Sequence, residues 1–228
     1  MKRFLRRVEQ SVRRRVRARL PRRADADRDT QLVRHVMNEH ILRKLEPLAP
    51  SSSALEVTGR YLEHLPWKRF DAVFFPEFDL LDPPAELPTY DVVICEQVLE
   101  HVADPALALR TLRRLTAPDG LLVVSTPFLV KPHYFPHDYW RFTPEGLQLL
   151  LTNAGFEIEE LRSWGNRFAV LANLGNRWVE WRPWYPRKNR IFNPVVVWAY
   201  ARPAASHADD HEQHRGFAGD LPVDAGDP

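Results

Sequence analysis

The sequence is poor in cysteine: among 228 residues only Cys95 is present. One cysteine excludes a disulfide framework and a zinc site built from cysteines. Because Cys95 lies inside an apolar run, it favours a reduced, cytoplasmic protein. The sequence also lacks a run of about 18 uncharged apolar residues, which argues against a transmembrane helix. The basic N-terminal segment is not followed by the apolar core of a secretory signal.

Charge is distributed unevenly along the chain. Residues 1–23 hold eleven of the 32 Lys and Arg residues and one of the 30 acids, so the remainder carries a net charge of −8. Apolar residues recur in this basic arm, residues 1–26, at the spacing of a helix with a narrow apolar stripe. The arm fits a helix on an anionic membrane surface, at the inner face of the membrane, or a solvated extension. Nucleic acid is a less favoured partner because no aromatic residues interleave the arginines.

The C-terminal segment, residues 204–228, is acidic and contains scattered Gly and Pro. Its apolar content is too low to offset the entropy of ordering, so the composition predicts a disordered tail. We interpret His207, His211 and His214 within it as polar residues rather than as metal ligands.

The body of the chain, residues 27–203, alternates between strand and helix patterns. An N-terminal helix is predicted within residues 27–50, where Pro47 and Pro50 end it. Two further helices are predicted to start at Asp104-Pro105 and Thr143-Pro144, a cap followed by proline, and Gly155 closes the second. Short apolar runs predict strands at 54–58, 71–75, 78–82, 90–95, 121–125, 156–161 and 195–200. This order predicts an open α/β sheet, whose ligands lie beyond the carboxyl ends of its strands.

Three sequence blocks resemble the class I S-adenosylmethionine-dependent methyltransferases. They are DVVICEQVLEHVADP at 91–105, LTAPDGLLVVSTP at 115–127 and DYWRFTPEGL at 138–147, and the likeness covers about residues 54–202. The resemblance implies a Rossmann-like sheet that is mostly parallel, with helices on both faces and an antiparallel last strand. It also implies S-adenosyl-L-methionine as the cofactor and methyl transfer as the activity.

The first motif of that family departs from its usual form. Family members carry an acid and then G-x-G-x-G after the first strand, where glycines let the backbone approach the cofactor closely. Here the sequence reads Glu56-Val-Thr-Gly-Arg-Tyr, with one glycine of the three. An inactive methyltransferase-like scaffold or partner subunit is therefore the alternative to an enzyme.

The resemblance and the strand-end positions predict two sets of site residues. The cofactor-binding candidates are Glu56, Gly59, Asp79 (or Glu77), Asp82, Glu96 and Gln97. The catalytic candidates are three histidines: His101, His133 and His137. An imidazole titrates near neutrality and suits a general base that deprotonates an acceptor hydroxyl. Bonding within the loop among His133, Asp138 and Arg141 is the structural alternative, and no metal site is assigned because no ligand motif completes the histidine set.

An aromatic-rich insertion, residues 164–190, occupies the place of acceptor lids in the family. Its aromatic and arginine side chains suit a sugar or an anionic acceptor, a membrane interface, a dimer patch or plain core packing. The resulting hypothesis is methyl transfer to a small-molecule or glycan acceptor, at oxygen. A membrane-surface enzyme acting on a lipid-linked acceptor is a further alternative.

Overall fold

The computed structural model describes residues 31–134, 136–175 and 179–205. The basic arm and nearly all of the acidic tail, with the predictions made for them, lie outside the described residues. The elements alternate along the chain as follows: α1 Leu32–Leu45, β1 Ser53–Val57, β2 Arg69–Val73, β3 Tyr90–Glu96, α2 Pro105–Leu115, β4 Thr116–Pro127, α3 Pro144–Asn153, β5 Phe156–Trp164, α4 Arg167–Asn173 and β6 Val196–Pro203. Short 3₁₀ turns occupy Ala49–Ser51 and Leu99–His101.

The six strands form one sheet in the order β2-β1-β3-β4-β6-β5. The first four are parallel, and β6 enters antiparallel to both β4 and β5. The Rossmann-like sheet with an antiparallel last strand is therefore confirmed.

Hydrophobic cores cover both faces of the sheet, as the doubly apolar strands predict. Along β3, Val92 and Ile94 belong to one core, which α1 covers. Their neighbours Val93 and Cys95 belong to the other, against α2 and α3. Alternate side chains thus pack into opposite layers, which is why this strand tolerates almost no polar residue.

The predicted helix boundaries of α2 and α3 are confirmed. The Asp104 side chain accepts the N–H of Leu107, and Thr143 accepts the N–H of Gly146, each at the start of its helix. Gly155 follows α3 with φ of +82°, the left-handed conformation that glycine adopts without strain. Within the described residues, no helix is both long enough and apolar enough to cross a bilayer.

Two local predictions were wrong. The segment 78–82 forms a turn rather than a strand, because the Leu80 carbonyl accepts the hydroxyl of Thr111 on α2 and the Leu81 N–H is taken by the Asp79 side chain. The strand predicted at 121–125 begins earlier, at Thr116, and residues 117–120 lie inside it as an irregularity: Tyr90 pairs with Thr116, and Val92 already pairs with Leu121.

Candidate functional site

The carboxyl ends of β1, β2, β3 and β4 lie side by side at one rim of the sheet, and the loops that follow them carry the candidate residues. In open α/β sheets this rim is where ligands bind.

Glu56 lies at the end of β1 and is only 3% exposed. Its Oε1 accepts the N–H of Tyr61 and its Oε2 accepts the N–H of Leu62, both at 2.9 Å. Residues 58–68 form turns, so no helix follows the first strand here. The carboxylate therefore satisfies the backbone of this first turn.

Gly59 packs directly on that carboxylate. A Cβ at residue 59 would lie 2.1 Å from Glu56 Oε1, so only glycine fits beside the acid. The preceding Thr58 has φ of +64°, which is unusual for a β-branched residue, and its N–H bonds the carbonyl of Val73 on β2. The turn is thus fixed by its own contacts and by the neighbouring strand.

The acids after β2 lie in a loop at the same rim. Asp79 is half-buried, and its Oδ1 accepts the N–H of Leu81 at 2.8 Å. Glu77 and Asp82 are exposed. The hydrogen bond to Leu81, within the loop, fixes the position of Asp79.

Glu96 and Gln97 follow β3. Glu96 pairs with Arg34 of α1, whose Nη1 lies 3.4 Å from Oε2. Gln97 adopts φ of +53°, and its side-chain amide donates to Ser125 Oγ on β4 at 3.2 Å. Arg34, which no sequence pattern singled out, brings a cation from the N-terminal helix to this rim.

Two of the three predicted histidines meet at a buried acid. Glu100 is fully buried, and its Oε1 lies 3.5 Å from His101 Nε2 and 3.6 Å from His133 Nε2. The two imidazole rings stand edge to face, with centroids 4.9 Å apart. We call Glu100, His101 and His133 the rim cluster.

The other ring nitrogens of these histidines contact oxygen atoms. His101 Nδ1 contacts the backbone carbonyl of His137. His133 Nδ1 lies 3.5 Å from Asp138 Oδ2, which also accepts the His133 backbone N–H at 2.6 Å. His137 contributes its backbone here, whereas its imidazole stacks on Tyr139.

Asp138 is held by Arg141, whose guanidinium bonds both of its carboxylate oxygens. Burial raises the pKa of Asp138, but the hydrogen bonds from Arg141 and His133 outweigh burial and lower that pKa to about 2. The carboxylate is therefore ionised at neutral pH. The loop bonding among His133, Asp138 and Arg141, which the sequence offered as the structural alternative to a catalytic role, is present.

Glu100 was missed by the sequence analysis. The signal was its place in LEH directly after a buried strand, but the sequence alone did not separate it from a solvated loop acid.

The aromatic-rich insertion is partly a packing element. Trp164 is buried in the core under α1, and Trp181 stacks on His35 of α1 with ring centroids 4.1 Å apart. Trp184, in contrast, is 75% exposed. Core packing explains the first two tryptophans, whereas the ring of Trp184 meets that of Tyr185, with centroids 6.3 Å apart, and is otherwise largely exposed.

The cofactor that the resemblance implies fits this rim in part. The acid after β2 and the polar residues after β3 are the hydroxyl and amine acceptors that a sulfonium nucleoside needs. The first turn does not provide an open glycine cradle, because the Glu56 carboxylate occupies the space beside Gly59. Binding would therefore rely on the ends of β2 and β3 more than on the first turn.

A family model described as a methyltransferase domain matches residues 21–161. Among curated proteins, the ubiquinone biosynthesis O-methyltransferase of Neisseria meningitidis serogroup A is 30% identical over 107 residues, covering 39% of this chain and 43% of that protein. The protein of the same name from Psychrobacter arcticus is 30% identical over 135 residues, covering 52% and 48%. The chain thus matches less than half the length of these two relatives.

Solved structures share the fold. A chain in the Haloferax volcanii complex of the Trm112 methyltransferase activator with a methyltransferase has a TM-score of 0.53 at 14% identity, covering 75% of this chain and 90% of that one. The [4+2]-cyclase SpnF has a TM-score of 0.50 at 15% identity, covering 75% and 82%. Because a cyclase and a methyltransferase complex both share this fold, the likeness shows the architecture and does not identify the reaction.

Proposed function

The chain belongs to the class I S-adenosylmethionine-dependent methyltransferases, and we propose that it transfers the methyl group of S-adenosylmethionine to an oxygen atom of a small molecule. The observation that carries the choice of oxygen is the rim cluster, since a hydroxyl acceptor must lose its proton and imidazoles suit that task. The relatives named as O-methyltransferases support the same choice over the matched segment.

We assign the cofactor to the ends of β2 and β3. Asp79 would accept hydrogen bonds from the ribose hydroxyls, with Asp82 toward the adenine, while Glu96 and Gln97 would border the methionine part. When bound, the cofactor supplies a methyl group made electrophilic by its sulfonium. Glu56 and Gly59 act here as positioning residues, because their contacts fix the first turn.

The protein's remaining task is to position the acceptor and manage its proton. His101 and His133 face Glu100 at the ends of neighbouring parallel strands, so an acceptor beyond these ends would meet both imidazoles. His137 would act through its carbonyl, which orients His101.

We infer the acceptor class from the aromatic-rich insertion, residues 164–190, in which Arg182 pairs with Glu180. Trp184 is exposed, and Arg182 follows Trp181, which suits a planar or anionic small molecule. A glycan and a lipid-linked acceptor are the variants of this proposal. The lipid-linked variant depends on the charged part of the basic arm, residues 1–23, which lies outside the described residues.

Calorimetry of the full chain with S-adenosylmethionine and S-adenosylhomocysteine tests cofactor binding, and transfer of an isotope-labelled methyl group to panels of phenols, catechols and sugars tests the acceptor. We expect Asp79→Asn to weaken binding about tenfold, since it keeps the acceptor for Leu81 but removes the charge. Glu77→Gln, an exposed acid of the same loop, is the matched control. The proposal would be overturned if neither ligand binds, or if the methyl group is transferred only to nitrogen or carbon acceptors.

A catalytically inactive scaffold is the second candidate, and the first turn favours it. Glu56 and Gly59 close on each other, and no helix follows β1. The same titration separates the two functions, because a scaffold that has lost the cofactor site would show no binding of either ligand while remaining folded.

A further inference from the structure

We propose that the rim cluster, Glu100, His101 and His133, binds one divalent transition-metal ion of the kind that imidazole and carboxylate ligands select, such as zinc. Binding of the ion stands on the cluster's own geometry. The use of the ion, to hold the acceptor oxygen, rests on the proposed function.

Glu100 is the first argument for a cation. Its side chain has no exposed surface, and among the described residues neither carboxylate oxygen meets a hydrogen-bond donor in suitable geometry. A carboxylate buried without compensation is costly, and native proteins pair such groups or coordinate them to metals. The polar groups that approach it are His101 Nε2 and His133 Nε2, at 3.5 and 3.6 Å.

Each imidazole has two nitrogen atoms, and the contacts of Nδ1 determine that Nε2 is the one that can bind a metal ion. The carbonyl that His101 Nδ1 contacts can only accept, so Nδ1 carries the hydrogen. Asp138 Oδ2 lies 3.5 Å from His133 Nδ1 and is held in place by Arg141, and this acceptor favours a hydrogen on Nδ1 in that ring too. Nε2 is therefore the ring nitrogen of each histidine that can bind an ion, and both Nε2 atoms face Glu100 Oε1. A cation between the three atoms would bind all of them.

The spacing of the three ligand atoms matches a metal site. With bonds of about 2.1 Å and tetrahedral angles, donor atoms lie about 3.4 Å apart. Glu100 Oε1 is 3.5 and 3.6 Å from the two Nε2 atoms, and the three ligand atoms lie within 4.8 Å of one another. The carbonyl behind His101 and the carboxylate behind His133 are the outer partners that metal-bound histidines usually have.

The position of the cluster indicates what the ion does. Three protein ligands leave a coordination position open, as in catalytic rather than structural zinc sites. Glu100 and His101 follow β3 and His133 follows β4, so the cluster lies in the loops of the rim where the acceptor is placed. With both Nε2 atoms bound to the ion, the ion would take over the task that the imidazoles have in the metal-free site: a hydroxyl at the ion would ionise more readily and release its proton to water. The C–O bond then forms as the C–S bond breaks, and the sulfonium becomes a neutral thioether.

Metal binding is tested on the untagged full chain after treatment with a chelator. Zn²⁺ titration by calorimetry and the visible absorption of bound Co²⁺ are the readouts, and neither requires activity. We expect one ion per chain. Glu100→Gln and His133→Gln are expected to weaken binding by more than about 100-fold, because each removes a ligand.

Two controls keep the result specific. The triple variant His207→Gln, His211→Gln, His214→Gln removes the histidines of the acidic tail and should bind Zn²⁺ like the unmodified chain. His64→Gln removes an exposed histidine outside the cluster and should do the same. Thermal unfolding of each variant identifies any that fails to fold, and the two ligand variants provide independent tests of the same site.

The proposal is overturned if no ion binds, if Glu100→Gln and His133→Gln both fold and bind Zn²⁺ unchanged, or if the tail variant abolishes binding. Its failure is distinguishable from that of the proposed function. If the chain binds zinc at the cluster but transfers no methyl group, the metal site is supported and the proposed function is overturned. If methyl transfer proceeds at full rate in the presence of a chelator, the proposed function is supported and the catalytic use of the ion is overturned.

Discussion

The carboxylate of Glu56 stands where residue 59 would carry its Cβ, since Oε1 lies 2.1 Å from that position. Glycine at 59 is therefore required by the protein's own acid. The acid in turn is fixed by the N–H groups of Tyr61 and Leu62. In this chain the glycine that remains after the first strand supports the turn itself.

We predict that Gly59→Ala destabilises the fold by about 1–3 kcal/mol, because the new methyl group must push Glu56 off two backbone N–H groups. Denaturant unfolding measures the loss. Gly175→Ala is the matched control, since its Cβ would make an ordinary contact 3.6 Å from the Ala172 carbonyl. Equal stability of the Gly59→Ala and unmodified chains would contradict the described turn.

The pairing of Asp91 with Ser53 predicts a dependence of stability on pH. The Ser53 backbone N–H and hydroxyl both donate to Asp91 Oδ2 at 2.7 Å and lower the pKa of this carboxyl. A carboxyl whose pKa is lower in the folded than in the unfolded state stabilises the fold at pH values above its unfolded pKa, which is about 3.9 for aspartate. This stabilisation is lost as the pH falls through the pKa of the folded state.

Asp91→Asn should accordingly cost about 0.5 kcal/mol at neutral pH, a small value because solvent screens this exposed pair. The difference from the unmodified chain should shrink as the pH falls below about 3.9. Urea unfolding over a pH series measures it, with the exposed Asp119→Asn as the control. A difference that grows on acidification would refute the assignment.

Cys95 is predicted to be unreactive in the folded protein. Its side chain has no exposed surface, and burial first, then the nearby carboxylates of Glu100 and Glu96, raise the pKa of its thiol. Reaction with a chromogenic disulfide at mildly alkaline pH should be no faster than unfolding, because both the proton and the packing protect the sulfur. In denaturant one thiol per chain should react at once. Rapid reaction of the native chain would place Cys95 outside the core.

Thr143→Ala should destabilise the protein by about 1 kcal/mol, the usual cost of losing an N-cap. The hydroxyl accepts the Gly146 N–H at 3.0 Å at the start of α3. Thr143→Ser keeps the oxygen and should restore most of the stability in thermal unfolding. An alanine variant as stable as the serine variant would exclude a capping role.

The sheet was predictable from the sequence because its central strands are apolar on both faces and two of its helices, α2 and α3, begin with a capping residue followed by proline. Asp104 and Thr143 act as caps as predicted, since capping depends on a few neighbouring residues. The segment 78–82 was mistaken for a strand because Leu80 is apolar and buried. Its backbone carbonyl bonds Thr111 of a helix, a contact that no local pattern encodes.

The site was only partly predictable for the same reason. The positions of Glu96, His101 and His133 at the ends of neighbouring strands follow from topology. That Glu100 points inward, and that the imidazole of His137 lies on Tyr139 rather than in the cluster, depends on loop packing. The pairing of Arg34 with Glu96 spans 62 positions, beyond any sequence window.

The insertion of β6 between β4 and β5 has a consequence for synthesis of the chain. Residues 196–203 emerge from the ribosome after β5, yet they separate β5 from the rest of the sheet. Until they arrive, the edge of β4 is open and β5 has no strand to pair with. From the completion of β4 at Pro127 until β6 has emerged, the nascent chain therefore carries an unpaired edge, and a chaperone that shields it would act before residue 203 rather than after release.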